Sequence, residues 1–262
     1  MSDLDKHILS FLSKEYSLRT FESDARNFEE LMVDFVYTSA KIEGNTYDRV
    51  DTDGLLRMGI TAGGKKYSDA KMLLNLRDAF DVVMKADSKT NLDEDYFCDL
   101  HKVLMKELLP EDQQGIVRSG PVTIGASKYR PLTDRLRLKT ELKVLLKEAD
   151  NYQDPFERSI YLHCNIAYLQ FFRDGNKRSA RMMQTAALVQ SGVLPLFFRD
   201  TLISEYSRSI VNYYETGDYK PYTSFFIKNY SLVTAEMLGV DQDGLLKKAT
   251  STFTSKLDGN HL

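Results

Sequence analysis

The stretch that decides the fold is Gln170-Phe171-Phe172-Arg173-Asp174-Gly175-Asn176-Lys177-Arg178-Ser179-Ala180-Arg181. Its pattern predicts a turn at Gly175 and Asn176 that leads into the start of a helix. Free backbone N–H groups and the positive end of the helix dipole meet at such a point and favour anions. Arg178 and Arg181 are three residues apart, so they emerge on one side of that helix and can bind phosphate oxygens. The stretch therefore predicts a phosphate site.

A metal ligand is included in the same stretch. Asp174 precedes the turn and offers a hard oxygen to Mg²⁺, which commonly bridges a carboxylate and phosphates. The alternative is that Asp174 only caps the helix while the arginines are solvated. The presence of Phe172, Lys177 and Arg178 in register favours the phosphate site. Phe172 is expected to anchor the loop in the core and to have no chemical role.

His163 lies seven residues, or two helical turns, before Gln170. Such a histidine is more often packed in the scaffold than used as a base. We therefore predict that His163 is a core residue.

The composition excludes several classes of function. With 262 residues, the chain suits one large domain or one domain with small flanking parts. A formal charge of −3 gives no electrostatic footprint for nucleic acid or an anionic membrane, so neither partner is expected. Cys98 and Cys164 are far apart and form no disulfide framework. Without a signal segment or an apolar run of about 20 residues, a cytoplasmic protein is expected.

Most of the chain shows apolar residues three and four positions apart, which is the spacing of amphipathic helices. Only six prolines occur, as suits a helical chain. The polar tail from residue 240 onward is expected to be frayed. The predicted helices span 4–15, 23–43, 50–59, 67–86, 93–107, 134–149, 155–172, 176–190, 200–216 and 219–238.

Residues 115–131 depart from the helical pattern. Their β-branched residues lie between glycines and predict a short β-hairpin, called the flap below. The predicted fold class is therefore mainly α with one hairpin.

A second motif is Ser39-Ala40-Lys41-Ile42-Glu43-Gly44-Asn45. Ser39 and Glu43 are four residues apart and share a helix face. Gly44 ends the helix, so Glu43 lies in its last turn, where the helix dipole disfavours a carboxylate. This placement predicts a basic partner for Glu43, and an arginine is the natural choice.

With these motifs, the chain resembles the Fic family, which transfers AMP from ATP to protein hydroxyls. The family signature opens with a histidine, places a phenylalanine two positions on, and continues as Asp/Glu-Gly-Asn-Gly/Lys-Arg-x-x-Arg. Every position matches except the first, where Gln170 replaces the histidine. The resemblance covers about residues 27–230, with further landmarks at Asn75 and in the segment 213–221. It implies a Fic-type helical bundle that binds ATP and Mg²⁺.

The resemblance also implies roles for the matching residues. Asp174 would bind the metal, and Arg178 would hold the phosphate chain. Arg181 would contact the terminal phosphate. Lysine in place of glycine at position 177 occurs in part of the family, including the Doc-like branch, which transfers the γ-phosphoryl group instead, so the identity of the transferred group stays open. The residues that would line the anion pocket are Gly175, Asn176 and Lys177.

In the Fic family the motif Ser/Thr-x-x-x-Glu-Gly/Asn is inhibitory. The resemblance implies that Glu43 pairs with Arg181 and obstructs seating of the ATP γ-phosphate. In some members the same glutamate positions a water that removes AMP from targets. Glu43 could therefore be a lock, a hydrolytic base, or both.

The flap resembles the hairpin on which family members dock a protein target. An exposed strand edge can align an extended segment through main-chain hydrogen bonds. The alternative is a structural hairpin that only covers the core. The candidate docking residues are Val122, Thr123, Ile124 and Gly125. Self-modification and a homo-oligomer are further possibilities.

Gln170 stands where the family has its general base. A histidine can accept the hydroxyl proton because its pKa lies near neutrality, whereas a glutamine amide cannot. Loss of a positioned base typically costs about 10²–10⁴-fold in rate. Three hypotheses follow: a slow adenylyltransferase or one with another base, a catalytically silent nucleotide- and protein-binding module, or an introduced substitution. A DNA-binding C-terminal part is a weaker alternative, since residues 200–262 hold no basic stripe.

The predicted organisation has three parts. Residues 1–90 form an N-terminal helical region with the inhibitory helix at about 28–44. Residues 91–195 form the Fic core with the flap at 115–131 and the nucleotide loop at 170–181. Residues 196–262 form C-terminal helices.

Overall fold

A computed structural model of the chain describes residues 1–125 and 127–259. This part is mainly helical, and none of its helices is long and apolar enough to cross a membrane. Two 3₁₀ turns lie at Glu111–Gln113 and Asp200–Leu202. The helices are α1 (Asp3–Glu15), α2 (Leu18–Ser23), α3 (Ala25–Ile42), α4 (Arg49–Met58), α5 (Tyr67–Val83), α6 (Glu94–Met105), α7 (Arg135–Ala149), α8 (Pro155–Leu169), α9 (Asn176–Gln190), α10 (Ile203–Thr216), α11 (Lys220–Leu238) and α12 (Gln242–Gly259).

Helix α9 lies at the centre of the fold. It packs against α8 along its length and also against α5 and α6. Almost all of its residues are buried, including Met182, Met183 and Leu188. Because α9 begins directly after Gly175, its N-terminus fixes the predicted phosphate loop to the core.

The starts of several helices follow from side-chain caps. An aspartate directly before the helix accepts a hydrogen bond from a backbone N–H of the first turn, which would otherwise lack a partner. These caps explain why the apolar patterns begin where they do. The capping residues are Asp24, Asp48, Asp93, Asp134 and Asp154.

Each predicted helix corresponds to a helix of the structure, and two of the differences in boundary have a clear local cause. The helix predicted at 23–43 begins only after Asp24, whose side chain caps α3, and a separate short helix precedes it. The helix predicted at 155–172 ends at Leu169, because Gln170 adopts a left-handed backbone conformation with φ 52°.

The predicted frayed tail is wrong for the described residues. Residues 242–259 form α12, which packs on α1 and α11. Leu245 and Ala249 are four residues apart and both buried, so this mostly polar helix has a narrow apolar stripe. An ion pair of Lys248 with Glu15 joins α12 to α1.

The hairpin predicted at 115–131 is not found either, since the described part of the chain contains no strand. Its described residues, 115–125 and 127–131, form an irregular loop in which the backbone N–H groups of Arg118 and Gly120 donate to the carbonyls of Phe171 and Thr133. The guanidinium of Arg118 donates to the carbonyls of Gly120 and Leu132, which a strand ladder would otherwise use. The described residues of the flap are therefore held by these backbone bonds and by the side chain of Arg118, and not by strand pairing.

Two glycines of the flap provide a matched test of its attachment. Gly115 and Gly120 both have positive φ, 69° and 83°. A Cβ on Gly115 would lie 2.6 Å from the backbone oxygen of Cys98, whereas one on Gly120 would meet nothing within 4 Å. We expect Gly120→Ala to lower the free energy of unfolding by about 1–2 kcal/mol, the cost of the left-handed conformation.

Gly115→Ala adds a backbone clash to that cost, so it should destabilise the chain more. Urea unfolding of both variants measures the difference. Equal losses would show that the root of the flap is not held against α6.

Candidate functional site

The predicted phosphate loop is held in place from inside by Asn176. Its Nδ2 donates to the carbonyl of Phe172 at 2.8 Å, and its Oδ1 accepts from the backbone N–H of Phe172 at 2.8 Å. Phe172 is fully buried, as predicted for a core anchor. The loop between α8 and α9 is therefore closed by contacts of the protein itself.

Arg118 connects this loop to the flap. It is buried, with 3 % of its surface exposed. Its Nε donates to the carbonyl of Gln170 at 2.6 Å, and its backbone N–H donates to the carbonyl of Phe171 at 2.9 Å. The flap and the phosphate loop therefore share one buried guanidinium.

His101 supports the loop from beneath. Its Nδ1 accepts the backbone N–H of Gly115 at 2.8 Å, and its Nε2 lies 3.0 Å from the carbonyl of Asp174. Because a backbone N–H only donates, Nδ1 carries no proton, and Nε2 donates to Asp174. The ring stacks on Phe172 with centroids 3.7 Å apart. Burial lowers the pKa of His101 to about 4, so this neutral tautomer is maintained.

The start of α9 has the features of an anion site. Gly175 precedes α9 with φ 76°, and no side chain caps the first turn. Arg178 is buried at 3 % exposure and donates through Nη2 to Asp174 at 3.0 Å. Within residues 1–125 and 127–259, its Nε and Nη1 have no hydrogen-bond partner. Buried donors without a partner are costly, and phosphate oxygens would satisfy them.

A divalent cation also suits this site. The Asp174 side chain is 62 % exposed, so one carboxylate faces solvent beside the unpartnered donors of Arg178. The described residues contain no group of three or more His, Cys, Asp or Glu that could hold a metal. One or two carboxylates and substrate phosphates are the usual ligands of Mg²⁺. Asp174 is therefore compatible with a metal that arrives together with phosphates.

Glu43 reaches the same site from α3. One of its carboxylate oxygens lies 2.9 Å from Nη2 of Arg181, and the other lies 3.4 Å from Nζ of Lys177. Burial alone would raise the pKa of Glu43, but the charges of Arg181, Lys177 and Arg178 outweigh it and bring the pKa to about 2. Glu43 is therefore ionised at any pH above that value, and its pairing persists across the physiological range.

The buried guanidinium of Arg181 contacts three groups of the protein, of which Glu43 is one. It is only 1 % exposed, and Nη2 also donates to the carbonyl of Ser39 at 3.0 Å. Its Nη1 lies 3.5 Å from the hydroxyl of Tyr206. Ser39 therefore contributes its backbone, while its own hydroxyl has no hydrogen-bond partner in the described part of the chain.

His163 lies close to Tyr206 and Arg181 and is fully buried, as predicted. Its ring stacks on Tyr222 with centroids 4.7 Å apart, and its Nε2 lies 3.3 Å from the hydroxyl of Tyr206. Burial and the charge of Arg181 lower the pKa of His163 well below 6.5. It packs behind Arg181 and does not replace a base at position 170.

The side chain of Gln170 folds back on its own helix in this conformation. Its side chain donates through Nε2 to the carbonyl of Ala167 at 2.6 Å, so the amide folds back on the last turn of α8. An amide has no titratable proton acceptor at neutral pH. This position therefore lacks a general base.

The remaining predicted residues lie on the flap, on α5 and between α10 and α11. Thr123 and Gly125 are exposed, whereas Val122 and Ile124 are half-buried. Asn75 is buried and donates to the carbonyls of Leu104 and Lys106 at the end of α6. The landmark segment 213–221 joins α10 to α11 through a left-handed Gly217.

Sequence reasoning missed His101 and the exact attachments of Arg118. His101 lies 73 residues from its partner Asp174, and Arg118 lies 52 residues from Gln170. Neither spacing forms a local pattern. The only available signals were an isolated histidine within an apolar helix and an arginine between glycines.

Comparison with known proteins agrees with this geometry. The Fic/DOC family profile matches residues 91–188. Protein adenylyltransferase fic-1 of Caenorhabditis elegans is 23 % identical over 231 residues, which cover 84 % of this chain and 44 % of that protein. Protein adenylyltransferase Fic of Nematostella vectensis is 25 % identical over 207 residues, covering 76 % and 47 %. The chain thus spans less than half the length of these curated relatives.

Solved structures show the same fold. Fic-1 (aa134–508) from C. elegans superimposes with a TM-score of 0.72 at 21 % identity, covering 88 % of this chain and 71 % of that one. A Fic domain containing signaling protein from Bacteroides thetaiotaomicron gives a TM-score of 0.73 at 17 % identity, covering 91 % and 99 %. The site thus lies in a helical fold of the Fic type. Residues 91–188 of this chain are similar to the Fic/DOC family domain.

The buried, neutral His163 beside Arg181 predicts that the free energy of unfolding depends on pH. The folded chain keeps His163 neutral, whereas the unfolded chain protonates it below about pH 6.5. Its contribution to stability is therefore complete above pH 6.5 and decreases as the pH falls. His163→Phe keeps the stack on Tyr222 and removes the titration.

The variant should be less stable than the native chain at pH 7, because Tyr206 loses a partner. That difference should shrink by about 1.4 kcal/mol per pH unit as the pH falls below 6.5. Urea unfolding of both chains at pH 7, 6 and 5 measures it. Parallel stability curves would show that His163 does not stay neutral in the fold.

Proposed function

We propose that the chain is a Fic-type protein adenylyltransferase scaffold, autoinhibited by Glu43, whose catalytic rate is reduced because Gln170 replaces the base. It binds Mg²⁺-ATP at residues 174–181 and transfers AMP to a Ser, Thr or Tyr hydroxyl of a protein target. The names of the curated relatives support this reaction class. The observation that carries the proposal is the buried arrangement of Glu43, Arg181 and Arg178 at the start of α9.

The anion loop supports nucleotide binding. Uncapped N–H groups of α9 and the unpartnered donors of Arg178 offer hydrogen bonds that suit phosphate oxygens. Asp174 supplies the exposed carboxylate for the metal. When bound, Mg²⁺-ATP supplies the AMP group and the charge that neutralises developing negative charge on the phosphates. The residues of the loop position that group, and positioning dominates this type of transfer.

The ion pair of Glu43 supports autoinhibition. A nucleotide phosphate that reached Arg181 would have to displace the carboxylate of Glu43, which lies 2.9 Å from Nη2 of Arg181. It would also meet the negative charge of Glu43, which Lys177 and Arg181 only partly compensate. Glu43 therefore competes with the terminal phosphate of the nucleotide for the guanidinium of Arg181.

The position of Gln170 supports slow chemistry. Its side chain can accept or donate a hydrogen bond, but it cannot remove the proton of an attacking hydroxyl. Glu43 does not replace it in this arrangement, because a carboxylate with a pKa of about 2 is a weak base. Removal of AMP by Glu43 would therefore need the carboxylate to leave Arg181. A silent nucleotide- and protein-binding module is the alternative function.

Release of the lock gives the first prediction for this function. Glu43→Gly leaves Arg181 buried without its carboxylate, so the variant should unfold at lower temperature than the native chain. ATP with Mg²⁺ should raise the unfolding temperature of the variant again. It should also bind the variant at least about tenfold more tightly than the native chain, a gain of about 1.4 kcal/mol. Titration calorimetry and thermal unfolding with and without ATP measure both effects.

Two control variants separate the effect of the Glu43 charge from the effect of its side-chain volume. Glu43→Gln keeps the volume of the side chain but removes its charge, so it should reproduce most of the gain in affinity. Glu205→Gln removes the charge of an exposed glutamate paired with Lys228 and should change nothing. Equal ATP affinity in the native chain and Glu43→Gly would contradict the lock.

Label transfer tests the reaction itself. We would compare α-³²P-ATP and γ-³²P-ATP with the native chain, Glu43→Gly, and Glu43→Gly combined with Gln170→His, each alone and with cell lysate. The doubly substituted chain should label protein with the α-label and about 10²–10⁴-fold faster than Glu43→Gly.

Each other result has a definite meaning. Transfer of only the γ-label would identify a phosphotransferase instead. Labelling by Glu43→Gly at the rate of the histidine form would show that Gln170 is compatible with full activity. No labelling by any form would leave the silent module as the function.

A further inference from the structure

A basic cleft lies beside the phosphate loop, at the root of the flap. Its volume is about 290 Å³, and three arginines and one carboxylate contribute to its lining. Among the lining residues, Arg173 directly precedes Asp174 in the chain, so the cleft adjoins the proposed reaction site. The complete lining is Asp112, Gln113, Ile116, Arg118, Ser119, Arg135 and Arg173.

Two of these arginines are available to a ligand. Arg135 and Arg173 are exposed, and neither forms an ion pair with a carboxylate of the described residues. Arg173 is held in place by donating to the carbonyl of Pro121 at 3.3 Å. Arg118 is different, because its guanidinium is occupied by three backbone carbonyls. The cleft therefore has two open guanidinium groups and one fixed positive charge behind them.

The surrounding sequence has the same sign of charge. Residues 115–139 contain six lysines and arginines but only one aspartate, although the whole chain has a net charge of −3. The aspartate, Asp134, is engaged as the cap of α7. The exposed members of this set include Lys128, Arg130 and Arg137. A basic surface on an acidic protein indicates an acidic partner.

We infer that this cleft recognises an acidic segment of the protein target, with Asp or Glu side chains next to the hydroxyl that is modified. The inference rests on the proposed function, and it names the substrate class for that site. Guanidinium forks bind carboxylates bidentately, which gives direction as well as attraction. The exposed Ile116, 43 % accessible, provides an apolar contact at the edge of the cleft.

The size of the cleft favours a peptide over a nucleic acid. Its volume of about 290 Å³ lies at the lower end of ligand pockets, about 300–1,000 Å³, and suits one or two side chains. A polynucleotide needs a continuous basic groove and aromatic faces for stacking. The lining of this cleft includes no aromatic residue.

Direct peptide binding tests the inference without nucleotide or catalysis. The probes are two fluorescein-labelled peptides of about a dozen residues, each with a central serine, flanked by glutamates in one and by glutamines in the other. Fluorescence anisotropy with the full chain should show tighter binding of the glutamate peptide. That binding should weaken as salt rises from about 50 to about 500 mM, because the charges are exposed.

Substitutions locate the interaction. Arg135→Gln and Arg173→Gln should each weaken binding of the glutamate peptide about 2- to 5-fold, and together about tenfold. Arg19→Gln, an exposed arginine on α2, is the matched control and should have no effect. Circular dichroism confirms that each variant is folded. The glutamine peptide should bind all variants alike.

Three outcomes would overturn the inference: equal affinity for the two peptides, glutamate-peptide binding that survives both substitutions, or tighter binding of an oligodeoxythymidylate of matched charge that the same substitutions abolish. The last would identify a nucleic-acid site. Failure of AMP transfer with a peptide that binds normally would count against the proposed function alone. Failure of binding in a chain that still transfers AMP would count against the cleft alone.

Discussion

The structure of the site depends on one buried charge. The guanidinium of Arg181 belongs to the second turn of the central helix α9 and is 1 % exposed, so without a partner this cation would cost several kcal/mol. Glu43 supplies the opposite charge, and the carbonyl of Ser39 and the hydroxyl of Tyr206 accept further hydrogen bonds. The end of α3 is therefore tied to α9 by an electrostatic requirement of the core. The same requirement makes Arg181 receptive to any other anion that can reach it.

The loop between α8 and α9 is preorganised by groups that have no chemical role. Asn176 closes the loop, Arg118 connects it to the flap, and His101 supports it from α6. Each contact uses a backbone carbonyl or N–H, so it fixes the path of the chain whatever the neighbouring side chains are. The position of Gln170 is thus well defined even though the residue itself lacks basicity.

The sequence predicted the helices well, because apolar spacing and aspartate caps are local signals. It also predicted the pairing of Glu43 with Arg181, although only through the family resemblance. It failed for the flap, where glycines and β-branched residues indicated a hairpin but the guanidinium of Arg118 took the carbonyls. It failed again for α12, whose stripe of Leu245 and Ala249 is too narrow to stand out. Both segments also depend on contacts with distant parts of the chain, because α12 packs on α1 and Arg118 bonds to Gln170 and Phe171.

The ion pair of Glu43 and Arg181 lies within one chain, and Glu43 is the C-cap residue directly after α3. The next residues are also anchored, because Asn45 donates to the carbonyl of Asp69 on α5 at 2.9 Å. The carboxylate is thus present at a high effective concentration that dilution cannot change. Occupancy of Arg181 by Glu43 is consequently independent of how much of this protein a cell contains, and only a competing anion or a movement of the end of α3 alters it.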